Sequence, residues 1–173
     1  MRHHTRWSWA ILIGATMLLA PGRAPAQSRT PIRQAVLGEP EGPTPEISTD
    51  ELSRVLVDGS ATVFDARPQR EYAISHIPGA RNVAPKPGVP ASAYVSDAAE
   101  IGRLLHANRT APIVLYCNGP HCGKSKRLAE ELLAAGFTNV RRYQLGIPVW
   151  RALGGTTEIE ADGVQYVREK DQT

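Results

Sequence analysis

The sequence predicts an α/β protein with a central, mainly parallel sheet and helices on both of its faces. After position 46, segments with helical apolar periodicity alternate regularly with short apolar runs that are typical of buried strands. One of these runs, residues 112–116 (PIVLY), is uninterrupted, as expected for a central parallel strand that is covered on both sides.

Length and charge narrow the class of protein. The chain has 173 residues, with 20 Lys and Arg against 17 Asp and Glu. This length suits one domain with a short appendage, and the composition is that of a globular protein. Arg2, Arg6 and Arg23 lie in the first 26 residues, which hold no acid, so the rest of the chain is electrically neutral. Its net charge therefore gives no reason to expect nucleic acid as a partner.

Residues 1–26 have the three-part layout of a secretory signal peptide. Arg2 and Arg6 give a positive start, residues 7–20 are apolar, and Ala24 and Ala26 are small residues suited to cleavage after Ala26. The apolar run is shorter than the ~20 residues that span a bilayer, so a retained anchor is the weaker interpretation. We expect a mature protein that is periplasmic or secreted and not membrane-bound, in a compartment where disulfides form.

The first elements follow a proline-rich segment. Residues 27–46 carry prolines at positions 31, 40, 43 and 45, which predicts a flexible tether. Ser48 and Glu51 form a capping box that opens a helix through about residue 57, and Gly59 ends it. Residues 61–65 (ATVFD) predict a buried strand, after which Pro68 suits the start of a helical turn.

The same alternation continues to position 155. Apolar periodicity predicts helices, short apolar runs predict strands, and Gly136 stops one of the helices. The remaining expected elements are a strand at 80–83, a proline-rich loop at 84–90, a helix at 97–107, the strand at 112–116, a helix at 125–135 and a strand at 140–145.

The last residues, 156–173, have a different pattern. Apolar residues on both sides of Asp162-Gly163 predict an antiparallel hairpin, which would cover an edge of the sheet. The expected organisation is therefore a signal peptide at 1–26, a tether at 27–46, a main domain at 47–155 and a C-terminal hairpin and tail at 156–173.

The residues with chemical potential are concentrated in one loop. Cys117 directly follows the central strand, at the position where open α/β folds bind ligands. The loop contains glycines and leads into a helix, so its amide groups are suited to surround an anion. The predicted anion-binding residues, all able to donate from the backbone, are Asn118, Gly119, His121, Cys122, Gly123, Lys124 and Ser125.

A thiol within such a ring of amide dipoles, with Lys124 nearby, is expected to be largely ionised near neutral pH. The Cys117 thiolate would then be able to attack a sulfane sulfur and hold it as a persulfide. The plainer alternative is that Cys117 is an inert core thiol.

Several motifs, in order, resemble the signature of a rhodanese domain over about residues 47–155. They are Val63-Phe64-Asp65-Ala66-Arg67, Glu71-Tyr72, His76-Ile77-Pro78-Gly79-Ala80, Asn82, Tyr116-Cys117, the helix from Ser125 with Leu132, Gly136-Phe137, Gly146, Trp150 and Gly154-Gly155. The resemblance implies a three-layer rhodanese-like domain. It also implies a sulfurtransferase of the thiosulfate type, with Cys117 as the persulfide-forming nucleophile.

The loop departs from the family pattern. Familiar rhodaneses have a C-x-x-x-x-R/K-S loop, whereas here Ser125 lies eight positions after Cys117, and the longer loop contains Cys122. A wider loop suits a larger anion than thiosulfate. Phosphatases of related fold have C-x5-R, and this chain has no Arg at that position, which argues against phosphatase activity.

Three interpretations of Cys122 remain open. It is a resolving thiol that attacks a persulfide or forms a disulfide with Cys117, or it has no chemical role and its side chain packs under the helix. The third and weakest is a soft-metal site with Cys117 and His121, for which the sequence offers no fourth ligand. A disulfide requires Cα atoms within about 7 Å, which a loop wrapped around an anion need not provide.

Other polar residues are given more modest roles. Asp65 and Arg67 share the edge of the sheet with Cys117, and Arg67 either adds positive potential to the site or, by preference, forms a structural ion pair with Asp65 or Glu71. His76 is expected to fix a turn, and His106 to lie on the solvated side of its helix.

We therefore expect a sulfurtransferase that needs no cofactor or metal. Its partners would be a small sulfur-containing anion as donor and a thiol or cyanide-like acceptor. Two rivals remain: a thiol–disulfide redox protein that uses Cys117 and Cys122, and a non-catalytic module that binds an oxyanion or a partner.

Overall fold

The computed structural model describes residues 42–84, 88, 90, 96–161 and 164–168, together with positions 32 and 34. The expected signal peptide and most of the expected tether lie outside these residues. The elements are, in order, α1 (Thr49–Asp58), β1 (Thr62–Asp65), α2 (Gln69–Ile74), β2 (Arg81–Asn82), α3 (Asp97–Leu104), β3 (Ile113–Tyr116), α4 (Gly123–Ala134), β4 (Val140–Tyr143), α5 (Gly146–Ala152), β5 (Thr157–Ala161) and β6 (Val164–Arg168).

The main sheet has four parallel strands in the order β2-β1-β3-β4. Tyr116, the last residue of β3, lies opposite Asp65 on one side and Tyr143 on the other. Since β3 lies inside the sheet and all of its residues are buried, the expectation of a central parallel strand is confirmed. The carboxyl ends of three strands therefore meet immediately before Cys117.

Successive strand residues point to opposite faces of the sheet, and each face has its own core. Val63 and Val114 belong to the core that also includes residues of α1 and α5, whereas Phe64 and Leu115 belong to the core formed with α3 and α4. This arrangement confirms the predicted helices on both faces. The capping box at the start of α1 is also confirmed, because Glu51 N–H donates to the Ser48 hydroxyl and Ser48 N–H to the Glu51 carboxylate.

The expected helix at 97–107 is too long. The last helical residue is Leu104, and both His106 and Ala107 have positive φ angles, of 50° and 58°. The Ala107 amide donates to the Gly102 carbonyl oxygen at 2.8 Å, which closes the helix with a left-handed turn. His106 is exposed, as expected, but it lies in this turn and not on a helix face.

Residues just before the expected start of the main domain at position 47 pair with the sheet. The Arg142 amide donates to the Pro45 carbonyl oxygen, and the Ile47 amide donates to the Arg142 carbonyl oxygen, both at 2.9 Å. Thr44 is buried. Residues 44–46 therefore belong to the folded body and lie along the outer edge of β4.

The C-terminal hairpin is confirmed, since β5 and β6 pair antiparallel with Ala161 opposite Val164. The expected turn residues between them lie outside the described part of the chain. The hairpin packs beside α2: β5 contacts this helix, and Glu158 and His76 exchange backbone hydrogen bonds at 2.9 Å. The His76 ring is buried and stacks on Tyr72 of α2 at 3.8 Å between centroids. Its expected role in fixing the turn at Pro78-Gly79 stays a prediction.

None of the helices in the described part of the chain is both long enough and apolar enough to cross a bilayer.

Candidate active site

Cys117 occupies the first position after β3 and is almost fully enclosed, with 2% of its surface exposed. Its carbonyl oxygen accepts a hydrogen bond of 3.1 Å from the amide of Ile147, in the first turn of α5. The start of the cysteine loop, which we define as residues 117–125, is therefore fixed by both the central strand and the following helix.

Cys117 and Cys122 are joined by a disulfide, with their Cα atoms 6.2 Å apart. The interpretation that Cys122 has no chemical role and packs under the helix is therefore wrong. The loop brings the two cysteines within bonding distance. The turn that does this is closed by a 3.0 Å hydrogen bond from the Cys122 amide to the Gly119 carbonyl oxygen. Gly119 has a φ of 120°, a conformation that favours glycine.

Two residues that follow β4 hold the middle of the cysteine loop. Gln144 Nε2 donates to the Pro120 carbonyl oxygen at 2.9 Å. A Cβ atom on Gly146 would lie 2.4 Å from both the Cys117 carbonyl oxygen and the Gly119 nitrogen, so only glycine permits this approach. Gly146 was expected only as part of the family pattern, and Gln144 was not predicted. The available signal for Gly146 was a glycine directly after a predicted strand.

The cysteine loop ends at the start of α4, which is electrostatically positive. The N-cap residue, Cys122, makes no side-chain cap, and the first turn of the helix contains no acid. The first amides of a helix lack acceptors within the helix, so they attract anions. Lys124 and Lys126 add positive charge to the same turn.

Ser125 has a different environment from the rest of the loop, because its side chain is buried. Arg142 Nη2, from β4, donates to the Ser125 hydroxyl at 3.3 Å. A buried guanidinium therefore lies beneath the first turn of α4 and adds to its positive potential. Arg142 was not among the predicted site residues, because charged residues in a predicted central sheet are expected at its exposed edges.

The side chains of Asn118, His121 and Lys124 are exposed around the loop. Asn118 Nδ2 donates to the Glu71 carboxylate at 2.7 Å, which connects the loop to α2. The structure therefore gathers the predicted anion-binding residues at one edge of the sheet. Whether their amides bind an anion stays a prediction.

Asp65 and Arg67 form the structural ion pair that the sequence favoured. Arg67 Nη2 lies 2.6 Å from the Asp65 carboxylate, and both side chains are buried. Burial opposes the charge of Arg67, but its hydrogen bond to Asp65 and the attraction of that carboxylate outweigh the burial and raise the pKa of Arg67. The same guanidinium donates to the Ser75 carbonyl oxygen, so it ties β1 to the end of α2.

Tyr116 lies between this ion pair and Cys117. Its hydroxyl accepts a 3.1 Å hydrogen bond from the Ile77 amide, and the Arg67 guanidinium carbon lies 5.7 Å from its ring centroid. Burial, followed by the negative charge of Asp65, raises the pKa of Tyr116 well above its ordinary value. The phenol therefore remains protonated and acts as a structural support. In the described ranges, no three His, Cys, Asp or Glu residues form a cluster that could hold a metal ion.

Comparisons with known proteins agree with this geometry. The model of the family described as "Rhodanese-like domain" matches residues 48–153. A curated HTH-type transcriptional regulator of Mycobacterium tuberculosis is 33% identical over 119 residues, which are 69% of this chain and 46% of that protein. The chain thus spans less than half the length of this relative.

Solved structures show the same fold. The BH2092 protein from Bacillus halodurans superposes with a TM-score of 0.54 at 24% identity, covering 70% of this chain and 84% of that one. A rhodanese-like domain of the Alr3790 protein from Anabaena sp. gives a TM-score of 0.51 at 21% identity, covering 75% and 96%. A thiosulfate sulfurtransferase from Pseudomonas aeruginosa gives 0.52 at 21% identity, covering 73% of this chain and 22% of that one.

The family model matches well over half of the chain, and the matched segment contains the whole four-stranded sheet together with Cys117 and the cysteine loop. The chain belongs to the rhodanese-like domain family.

Proposed function

We propose that this protein is a sulfurtransferase that carries sulfane sulfur as a persulfide on Cys117. The observation that carries the proposal is the position of the Cys117 sulfur. It is bonded to Cys122, the N-cap residue of α4. The start of this helix is electrostatically positive and has no side-chain cap. A negatively charged sulfur and an anionic donor are both stabilised by such a helix end.

The first half-reaction uses a thiosulfate-like anion. The Cys117 thiolate attacks the sulfane sulfur, the sulfur–sulfur bond of the donor breaks, and sulfite leaves with the bonding electron pair. Cys117 then carries one additional sulfur. In the second half-reaction a thiophilic acceptor, such as a thiol or cyanide, removes that sulfur and restores the thiolate.

The disulfide form holds both sulfurs in a bond, so it must be reduced before Cys117 can act. A dithiol reductant supplies the two electrons by thiol–disulfide exchange. The proposed cycle therefore begins from the reduced protein.

Sulfite release tests the proposal, because it reports only the first half-reaction. Reduced protein, freed of reductant and mixed with excess thiosulfate, is expected to release sulfite in an amount equal to its Cys117 content. Cys117→Ser should abolish this release, whereas Cys122→Ser should retain it. Sulfite release that persists in Cys117→Ser, or that is absent from the reduced wild type, would overturn the proposal.

The disulfide itself favours a second candidate function, a thiol–disulfide redox protein in which sulfur transfer is incidental. The two functions differ in their dependence on Cys122. A redox protein requires both cysteines to oxidise or reduce a partner dithiol, and it releases no sulfite from thiosulfate.

We also propose that the protein works in the periplasm or outside the cell, after cleavage near Ala26. The layout of residues 1–26 supports this proposal. Mass spectrometry of the mature protein from the periplasmic fraction tests it, and retention of the first 26 residues would contradict it.

A further inference from the structure

The disulfide identifies a second reacting atom beside Cys117. We infer that Cys122 discharges the Cys117 persulfide within the same loop and releases its outer sulfur as hydrosulfide. This inference rests on the proposed persulfide chemistry, and it assigns to Cys122 a catalytic step of its own.

The proximity of the two sulfurs does not depend on the bond between them. The turn is closed by the Cys122 amide on the Gly119 carbonyl oxygen, and Gln144 holds the Pro120 carbonyl oxygen. The backbone of Gly146 supports the other side of Gly119. None of these contacts involves sulfur, so they continue to favour a short separation of the Cys117 and Cys122 backbones after reduction.

A thiol that is held at this distance has a large kinetic advantage over one from solution. Well-oriented intramolecular groups reach effective concentrations far above those of any free thiol. Cys117 is almost completely enclosed, with 2% of its surface exposed, and Cys122 lies nearer to its sulfur than any acceptor in solution. Cys122 is half-buried, and its sulfur already lies within bonding distance of the Cys117 sulfur.

The position of Cys122 also favours its ionised form, since the N-cap of a helix stabilises a thiolate. Its thiolate attacks the inner sulfur of the persulfide, which is the Sγ atom of Cys117. The bond between the inner and outer sulfurs breaks, and the outer sulfur leaves as hydrosulfide after taking one proton. The product is the disulfide seen in the structure.

The complete cycle balances with one reductant. One thiosulfate and the two thiols give sulfite, hydrosulfide and the disulfide. An external dithiol then reduces the disulfide and is itself oxidised. Its attack is expected at Cys122 Sγ, because Cys122 is more exposed than Cys117. The net reaction is the reduction of sulfane sulfur at the expense of a dithiol.

A single-turnover experiment tests this inference. Reduced wild-type protein, freed of reductant, is mixed with one equivalent of thiosulfate under anaerobic conditions, and sulfite, hydrosulfide and the intact protein mass are measured. We expect one equivalent each of sulfite and hydrosulfide and a protein that has lost two hydrogens. Cys122→Ser should release the same sulfite but no hydrosulfide, and it should retain one extra sulfur in its mass.

The result that overturns the inference is a wild-type protein that accumulates the persulfide as Cys122→Ser does, with no hydrosulfide released. That outcome leaves sulfite release intact and so differs from failure of the proposed function, in which neither protein releases sulfite. Serine is a favourable N-cap residue, so Cys122→Ser is expected to fold. Cys122→Ala serves as a second variant that adds no hydroxyl to the helix start.

Discussion

Gly146 lies so close to Gly119 that a Cβ atom on Gly146 would be 2.4 Å from the Gly119 nitrogen. This close approach of two backbones links the start of α5 to the loop that carries both cysteines. The position of the reactive sulfur is thus determined partly by a residue that has no side chain.

Gly146→Ala should displace the cysteine loop. The new methyl group would collide with the Cys117 carbonyl oxygen and the Gly119 nitrogen, and the φ of 67° adds strain for any residue with a Cβ. We expect sulfite release from thiosulfate to fall at least about tenfold, since small misplacements of a nucleophile are costly. Stopped-flow measurement of sulfite gives the rate.

The matched control is Gly59→Ala, at the C-cap of α1. Gly59 has nearly the same φ, 64°, but no atom lies within 4 Å of its added Cβ. It should lose about 1 kcal/mol of stability from backbone strain and keep the wild-type rate. Equal loss of rate in both variants would show that the Gly146 contact does not position the loop.

Gln144→Ala should weaken the tendency of Cys117 and Cys122 to form their bond. It removes the hydrogen bond to the Pro120 carbonyl oxygen, and such a bond contributes about 1 kcal/mol. The equilibrium constant for disulfide formation against a dithiothreitol buffer should fall, by at most about fivefold, because the reduced loop of the variant is less restrained near the disulfide geometry. Gln69→Ala removes a glutamine that bonds to Glu160 instead and should leave the constant unchanged. An unchanged constant in Gln144→Ala would mean that the loop does not need this support.

Asp65→Asn should destabilise the fold severely. It leaves the buried Arg67 guanidinium without its counter-charge, and breaking a buried pair costs about 3–5 kcal/mol. Glu100→Gln, which breaks the solvent-exposed pair with Arg103, should change stability much less. Urea unfolding of both variants measures the difference, and similar losses would contradict the structural role of Arg67.

Tyr116→Phe should lower the stability of the protein at neutral pH and change how that stability varies with pH in the alkaline range. The variant leaves the buried Ile77 amide without its acceptor, which costs about 1–3 kcal/mol. Burial raises the pKa of Tyr116 in the folded protein above the value of about 10 in the unfolded chain. The folded protein therefore retains this proton at pH values where the unfolded chain loses it. The contribution of the Tyr116 hydroxyl to the free energy of unfolding is complete below pH about 10 and declines above it.

The stability difference between the wild type and Tyr116→Phe should accordingly narrow as the pH rises above about 10. Unfolding in urea at neutral pH and at a series of alkaline values measures it. A difference that stays constant or widens would show that the phenol is not protected in the folded state.

The sequence was informative where a local pattern determines the structure. The capping box of Ser48 and Glu51 and the apolar run of β3 each depend on neighbouring residues, and both are confirmed. The position of Cys117 followed from the rule that ligands bind beyond the ends of parallel strands. The expected length of α3 was wrong because the apolar stripe continues into Leu105, while the backbone reverses at His106.

The supports of the cysteine loop were not predictable in the same way. Gln144 and Gly146 follow β4 and reach the loop only because β4 lies beside β3 in the sheet. Likewise, Arg142 meets Ser125 only after α4 has folded over the strands. Such contacts join residues that are distant in the chain, and no local pattern in a single sequence identifies the partners.

The pairing of residues 45–47 with β4 has a consequence for solubility. At the opposite side of the sheet, β2 is only two residues long. In the described part of the chain, neither border of the main sheet offers a long row of unpaired backbone groups to another molecule. Long unpaired borders are where native proteins associate into aggregates. Residues 45–47 therefore cover the outer edge of β4, and their removal would uncover a strand onto which a second chain could add.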